Sequence, residues 1–131
     1  MYFCLCLINF WKHSFHITGC IEYITGSELI SMVKEVLGTI DLDPFSSKVG
    51  NMFVNALKFF TPSEDGFKQQ WCGNCWISGP RKFQDKIIKK LLNEVQLGNC
   101  KSFIILTRLN NLSKNFYLLL RRYFMCVVEG K

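Results

Sequence analysis

The sequence lacks an apolar run long enough to cross a membrane. Its first eleven residues, MYFCLCLINFW, are apolar, but Lys12 and His13 interrupt the run, and a transmembrane helix needs about 20 such residues. No basic segment precedes the run and no small-residue cleavage site follows it, which disfavours a signal peptide. The run is an edge strand, a packing arm or translated sequence upstream of the true start, and we favour the last two. We expect no membrane partner.

The sequence has fewer acidic residues than basic ones. Ten Asp and Glu oppose sixteen Lys and Arg, for a net charge of +6, which is compatible with a nucleic-acid partner through attraction to phosphates. The basic residues are scattered, however, and Lys86, Lys89 and Lys90 lie on what reads as a solvated helix face. With 49% apolar residues over 131 positions, the chain is predicted to form one compact, monomeric domain with a real core.

Regular cysteine spacing is also absent. The seven cysteines are odd in number and irregularly placed, unlike a secreted disulfide framework, so we expect reduced thiols in a cytoplasmic protein. Cys72 and Cys75, in QQWCGNCWISGP, resemble a thioredoxin site, but a β-prone run follows them where redox chemistry needs a helix N-terminus. A structural zinc needs four ligands, and only the distant His13 and His16 could be added. We therefore expect neither redox chemistry nor a metal.

Strand-like and helix-like segments alternate along the chain. Helices are predicted after a capping box at 25–28 and up to Gly38, over 51–57, over 83–95 with Gly98 as the stop, and after Ser113 through Arg122. Strands are predicted at 39–42, 75–78, 102–106 and 125–128. This alternation predicts an α/β fold with a mostly parallel sheet and helices on both faces.

Two predicted strand ends carry unusual residues, which indicates where a ligand would bind. In open α/β sheets, ligands sit beyond the carboxyl ends of the strands. Asp41, Asp43 and Pro44 stand at the first of these ends, and 78–81 follow a later strand. The two aspartates have the alternative role of capping the next turn. Trp71 and Trp76 are predicted to be core residues rather than base-stacking platforms.

Four stretches, in order, resemble the phage-type DNA N6-adenine methyltransferases, the small Dam-like family of bacteriophages and prophages. EYITGSELISMVKEVLG is similar to the family's E-W-Y-T-P opening and helix, and IDLDPFSS to its I-D-L-D-P-A-S signature. KFFTPSEDGFKQQWCGNCWISGP is similar to Y-F-T-x-x-x-D-G-L-x-x-x-W-x-G-x-V-W-x-N-P-P-Y, and SFIILTRLNNLSKNFYLLL to a later strand and helix. Cys72 and Cys75 stand at variable positions of this pattern.

The resemblance implies a reduced Rossmann-like methyltransferase fold and S-adenosyl-L-methionine as the cofactor. It implies a domain over 22–131, incomplete at the C-terminus, after a poorly defined arm over 1–21. Double-stranded DNA is the implied partner, and adenine the acceptor, flipped out of the duplex. The cofactor carries an ammonium and a sulfonium, which suits acidic groups. Its implied site residues are Tyr23, Thr25, Asp41, Asp43 and Pro44.

The implied catalytic loop departs from the family pattern. Ser78, Gly79, Pro80 and Arg81 stand where the family has N-P-P-Y, so only the proline is retained. The serine hydroxyl is a shorter acceptor than asparagine, the glycine loosens the backbone, and the arginine brings a positive charge toward a cationic methyl donor. Two hypotheses remain open: a methyltransferase with reduced or lost activity, and a non-catalytic DNA- or cofactor-binding prophage remnant.

Overall fold

The computed structural model describes residues 5–8, 26–107, 113–123 and 125–128, with side chains described over 26–107 and 113–123. Its strands are β1 (Leu5–Ile8), β2 (Leu42–Asp43), β3 (Lys58–Phe59), β4 (Gly73–Ile77), β5 (Cys100–Thr107) and β6 (Met125–Val128). Its helices are α1 (Ser27–Leu37), α2 (Lys48–Val54), α3 (Gln84–Gln96) and α4 (Lys114–Arg122). The predicted α/β class is confirmed.

The strand order places a reversal of the chain's course in the middle of the sheet. The order is β3-β2-β4-β5-β1-β6, and every pairing among the described strands is parallel. From β2 the chain winds through α2 to the neighbouring β3, and then crosses back to β4 on the other side of β2. The carboxyl ends of β2 and β4 therefore flank the kind of switch point at which open α/β sheets bind ligands.

Helices cover both faces of the sheet, because successive strand residues point to opposite sides. On one face Ile77 and Ile105 pack in a core with the apolar sides of α3 and α4. On the other face Trp76 and Ile104 pack against α1. Trp71 and Trp76 are almost fully buried, which confirms them as core residues.

The ends of two helices are largely where the sequence predicts them. Gly38 ends α1 with a φ of 80°, and the Ser113 hydroxyl caps α4 by accepting a hydrogen bond from the backbone N–H of Phe116. At the start of α1 the structure differs from the prediction. Gly26 is the N-cap and no side chain caps the helix, while Thr25 lies outside the described residues.

The helix predicted over 51–57 lies three residues earlier in the structure, at Lys48–Val54. The helix α2 begins at Lys48 because the Ser47 hydroxyl accepts a hydrogen bond from the backbone N–H of Gly50 at 2.9 Å. It ends because Asn55 takes up the left-handed conformation, with a φ of 54°. The sequence offered both signals, a serine before the helix and an asparagine after it.

The apolar N-terminal run contributes an interior strand rather than an arm. Leu5–Ile8 forms β1, which pairs in parallel with β5 on one side and β6 on the other. A short, wholly apolar segment is typical of an interior parallel strand. The sheet therefore draws on residues ahead of the predicted boundary at position 22.

Candidate functional site

Two sequence-predicted loops meet at the carboxyl ends of β2 and β4. Asp43 and Pro44 end the first strand, and Ser78-Gly79-Pro80 follow the second. The Phe45 ring packs on Gly79 so closely that a Cβ added there would lie 3.0 Å from Phe45 Cδ2 and 2.5 Å from Ile87 Cδ1. The structure therefore brings the predicted cofactor and catalytic segments into direct contact, with an aromatic ring between them.

A third segment of the sequence pattern joins this cluster. Gly66 lies against the backbone of Pro44, where an added Cβ would collide with the Pro44 carbonyl oxygen. The Trp71 indole N–H donates to the Gly66 carbonyl at 2.9 Å. The Phe45 ring contacts Phe67 and Trp71 with ring centroids 5.0 and 5.6 Å apart. Glycine and tryptophan at these positions thus have a packing role that holds the loop after β2 in place.

Asp43 is the acidic group that faces the switch point. It is 3% exposed, and its Oδ1 accepts a hydrogen bond from the backbone N–H of Phe45 at 3.2 Å. Burial raises the pKa of the Asp43 carboxyl to about 7, while hydrogen bonds from Phe45 and Ser46 act in the opposite direction. A positive charge on a ligand beside this carboxyl would lower its pKa and favour the ionised form. Asp43 can therefore be neutral without a ligand and negatively charged beside a cationic one.

Asp41 lies at the opposite end of the same strands. It precedes β2, and its carboxylate accepts hydrogen bonds from the backbone N–H of Asn74 at 2.8 Å and from the Thr39 hydroxyl at 3.1 Å. Asn74 is at the amino end of β4. The carboxylate thus fastens the starts of two neighbouring strands together. The structure does not bring Asp41 to the edge that holds Asp43.

The contact between Asp41 and Gly73 predicts that replacing Gly73 with alanine lowers the free energy of unfolding. Gly73 and Gly98 have φ values of 78° and 77°, but an added Cβ would strike the Asp41 carboxylate at Gly73 and would meet nothing within 4 Å at Gly98. We expect Gly98→Ala to cost about 1–2 kcal/mol of backbone strain and Gly73→Ala about 1–3 kcal/mol more from overpacking. Urea denaturation measures both, and equal losses would contradict the contact.

The remaining predicted site residues are divided between described and undescribed parts of the chain. Arg81 opens a 3-10 turn, Arg81–Phe83, that leads into α3, so it follows the loop after β4 directly. Ser78 and Arg81 are each partly exposed. Tyr23 and Thr25 lie outside the described residues.

Thr107 is a residue at this edge that the sequence did not single out. Among the described side chains, its Oγ1 is buried and has no hydrogen-bond partner. Ile77, the last residue of β4, pairs with Ile105 on β5, so Thr107 lies two residues beyond this pair, at the carboxyl end of β5. A buried hydroxyl without a partner is costly, and it offers a donor and an acceptor to a ligand in the adjoining crevice. Its sequence signal is only a polar residue at the end of an apolar run.

A cationic and aromatic surface borders the loop after β4. Lys86 Nζ lies 4.1 Å from the centroid of the Phe67 ring, and Lys82 Nζ lies 4.9 Å from that of Phe83. Both lysines are exposed. Lys90 differs, because its Nζ forms a salt bridge with Glu94 at 2.7 Å. Of the three lysines predicted to form a solvated face on α3, Lys86 and Lys89 are exposed. Lys90 is partly buried, and its Nζ also lies 5.3 Å from the centroid of the Trp71 ring.

The cysteine pair has the properties of structural thiols. Cys75 is buried and Cys72 is exposed, and the segment after Cys75 is strand β4 rather than a helix. A hydrogen bond with the Cys100 thiol, together with burial, raises the pKa of the Cys75 thiol, which disfavours the reactive thiolate. Within the described residues, no group of three or more His, Cys, Asp or Glu could hold a metal ion. His13 and His16 lie outside them.

Scans of the chain against protein-family models, and searches among curated proteins and solved structures, return no match. Among the helices of the described residues, none is both long and apolar enough to span a membrane. The function of this chain is therefore inferred from the geometry of the switch point and from the motif pattern of the sequence.

Proposed function

We propose that this chain is a DNA adenine-N6 methyltransferase by descent, which retains a site for S-adenosyl-L-methionine and transfers methyl slowly or not at all. The observation that supports it most is the contact between the loops after β2 and β4. Residues 43–45 and 78–81 are far apart in sequence, yet Phe45 packs on Gly79 at the position where this class of sheet binds ligands.

Two groups at the proposed site suit the cofactor. The buried carboxyl of Asp43 can balance a positive charge on the ligand, and Thr107 can satisfy its unpartnered hydroxyl on a polar group of the bound molecules. When bound, S-adenosyl-L-methionine supplies the methyl group as an electrophile. The chain's own task is then to hold the acceptor amino group in line with it and to accept hydrogen bonds from that group, a role we assign to the Ser78 hydroxyl and the backbone carbonyls of 78 and 79. The Pro80 carbonyl already accepts a hydrogen bond from the backbone N–H of Phe83.

Three features of the two loops at the proposed site oppose fast transfer. Ser78 is a shorter acceptor than the asparagine of the family pattern, and Arg81 adds a cation close to a cationic donor. The Phe45 ring also takes up space beside Gly79, which narrows the crevice. Because preorganised hydrogen bonding usually contributes several kcal/mol to such a reaction, we propose reduced or absent turnover. The alternative function, a non-catalytic DNA- or cofactor-binding remnant of a prophage gene, is favoured by that same packing of Phe45.

Isothermal calorimetry with S-adenosyl-L-methionine tests the proposed cofactor site. We expect measurable binding by the parent chain and binding at least about tenfold weaker for Asp43→Asn, because the uncharged amide cannot balance the ligand's charge. Glu35→Gln is the matched control, since it removes an exposed carboxylate on α1 away from the crevice. Equal affinity in parent and Asp43→Asn would remove this residue from the site, and no binding by the parent would contradict the proposal.

DNA binding is expected to depend on the lysines that stack on Phe67 and Phe83. Removing one lysine that binds a phosphate should reduce the slope of log affinity against log salt by about 0.9, so Lys82→Ala and Lys86→Ala should each show this change with a 20-base-pair duplex. Lys101→Ala is the control, because Lys101 is exposed near the amino end of β5. Fluorescence anisotropy over a salt series measures the slopes. An identical change in all three variants would mean that binding depends on net charge alone.

A further inference from the structure

Within the described part of the chain, most of the exposed large apolar side chains belong to two helices and the loop that follows them. Among the described residues, nine large hydrophobic side chains are exposed, and six of these belong to α1, α2 and the loop after α2. Met52 and Leu57 are 79% and 80% exposed, which is close to complete exposure for large apolar groups. We call this set of six residues the α1–α2 face: Met32, Val36, Val49, Met52, Phe53 and Leu57.

Helical spacing places these side chains in adjoining rows. Met32 and Val36 are four residues apart on α1, as are Val49 and Phe53 on α2 with Met52 between them, and residues at this spacing lie on the same side of a helix. The two helices contribute to one buried core, so their outer rows belong to neighbouring parts of the surface. An exposed apolar surface of this kind is typical of an interaction site.

Charges beside the two rows are opposite in sign. On α1 the exposed carboxylates of Glu28 and Glu35 accompany Met32 and Val36. On α2 the exposed ammonium of Lys48 stands four residues before Met52, and Lys58, also exposed, follows Leu57 directly. The apolar row of α1 is therefore flanked by negative charges and that of α2 by positive charges. A partner that complements both would place apolar and basic side chains against α1, and apolar and acidic side chains against α2. The α1–α2 face of a second copy of this chain has both.

We propose that two copies of this chain associate through the α1–α2 face about a two-fold axis. In a two-fold interface the same surface serves both subunits, so α1 of one copy lies on α2 of the other, and the reverse contact forms at the same time. Glu28 and Glu35 of each copy then lie opposite Lys48 and Lys58 of the other, so these charge contacts form on both sides of the two-fold axis. The dimer is independent of the proposed methyl transfer, because the face is built from the outer rows of α1 and α2 rather than from the loops after β2 and β4.

Sedimentation velocity over a series of protein concentrations tests this dimer. The parent chain is expected to dimerise, and Met52→Ser with Leu57→Ser should weaken the dimer at least about tenfold, because central apolar contacts carry much of an interface's stability. Leu97→Ser is the matched control, since Leu97 is 64% exposed just beyond α3, outside the face. Circular dichroism confirms that each variant is folded.

A charge exchange separates this dimer from other occupants of the face. Glu35→Lys alone should weaken association by roughly tenfold through like-charge contacts with Lys48, and adding Lys48→Glu to the same chain should restore it. A parent chain that stays monomeric at every concentration would overturn the proposal. So would a dimer insensitive to these substitutions, or a monomer that sediments with anionic lipid vesicles through Met52 and Leu57.

Discussion

Changing the proposed catalytic loop to the pattern that it resembles is expected to raise methyl transfer only when Phe45 is replaced together with it. The family pattern has asparagine, proline and tyrosine where this chain has Ser78, Gly79 and Arg81. It also has alanine where this chain has Phe45. In the structure a Cβ added at position 79 would lie 3.0 Å from the ring of Phe45 and 2.5 Å from Ile87 Cδ1, so Phe45 crowds any side chain at that position. The large side chain of Phe45 is thus accommodated because Gly79 has no side chain.

We therefore expect Ser78→Asn, Gly79→Pro and Arg81→Tyr without Phe45→Ala to lose stability, because the proline ring would collide with Phe45. Overpacking of this kind costs about 1–3 kcal/mol. Ile87 also contacts the added Cβ position, but only through its terminal methyl group, which can rotate away. With Phe45→Ala included, turnover should rise roughly 100- to 1000-fold, the usual effect of one well-placed hydrogen-bonding group in an active site.

The measurement is transfer of labelled methyl from S-adenosyl-L-methionine to unmethylated duplex DNA, with thermal unfolding of each variant alongside. Phe45→Ala alone is the control, because it opens the crevice without restoring an acceptor. If the loop variant with Phe45 retained is equally stable and equally active, the steric compensation is wrong. No gain from the complete set would mean that the loop does not limit the reaction.

The second large effect is expected in the pH dependence of stability, through Asp43. Burial raises the pKa of this carboxyl from 3.8 to about 7 in the folded protein. The folded state therefore holds a proton that the unfolded state has released, and stability falls as the pH rises between these two values. Below the lower value both states are protonated, so the full stability is present there. Above about 7 the loss is complete.

Asp43→Asn should remove this dependence, because an amide of the same shape does not titrate. Relative to that variant, the parent chain is expected to lose about 1.4 kcal/mol of unfolding free energy per pH unit between pH 5 and 7. Urea denaturation of both proteins at several pH values gives the difference. Any contribution from His13 and His16 is common to both proteins and cancels. Parallel curves would show that Asp43 is ionised in the folded protein.

The sequence was most informative where a local pattern is sufficient to specify an element. The apolar stripe of α3, the glycine after α1 and the serine before α4 each stabilise their helix through neighbours within a few residues, so the prediction needed no tertiary information. The same is true of the run that forms β5, which is apolar because helices cover both faces of its sheet. The cysteine pair was also interpreted correctly as non-helical, since the β-prone residues after Cys75 are visible in the sequence.

Roles at the sheet ends were harder to assign, because they depend on strand register and not on sequence spacing. Asp41 and Asp43 are two residues apart and looked alike, yet β2 contains only Leu42–Asp43. One carboxylate thus lies at each end of that strand. That the hydroxyl of Thr107 is buried without a hydrogen-bond partner among the described side chains depends on the packing around the end of β5, which no residue near it in sequence indicates.

The sequence by itself determined the α/β fold class, the four helices and four of the six described strands, and the segments in which a site could form. Local hydrogen bonding and the periodicity of apolar residues are sufficient for that. Only the tertiary structure decided that Asp43 is buried with a raised carboxyl pKa, that Asp41 joins two strands, and that the Phe45 ring packs against Gly79. Each of these depends on groups more than thirty residues apart, or on the solvent that the whole fold excludes, and no local pattern records either.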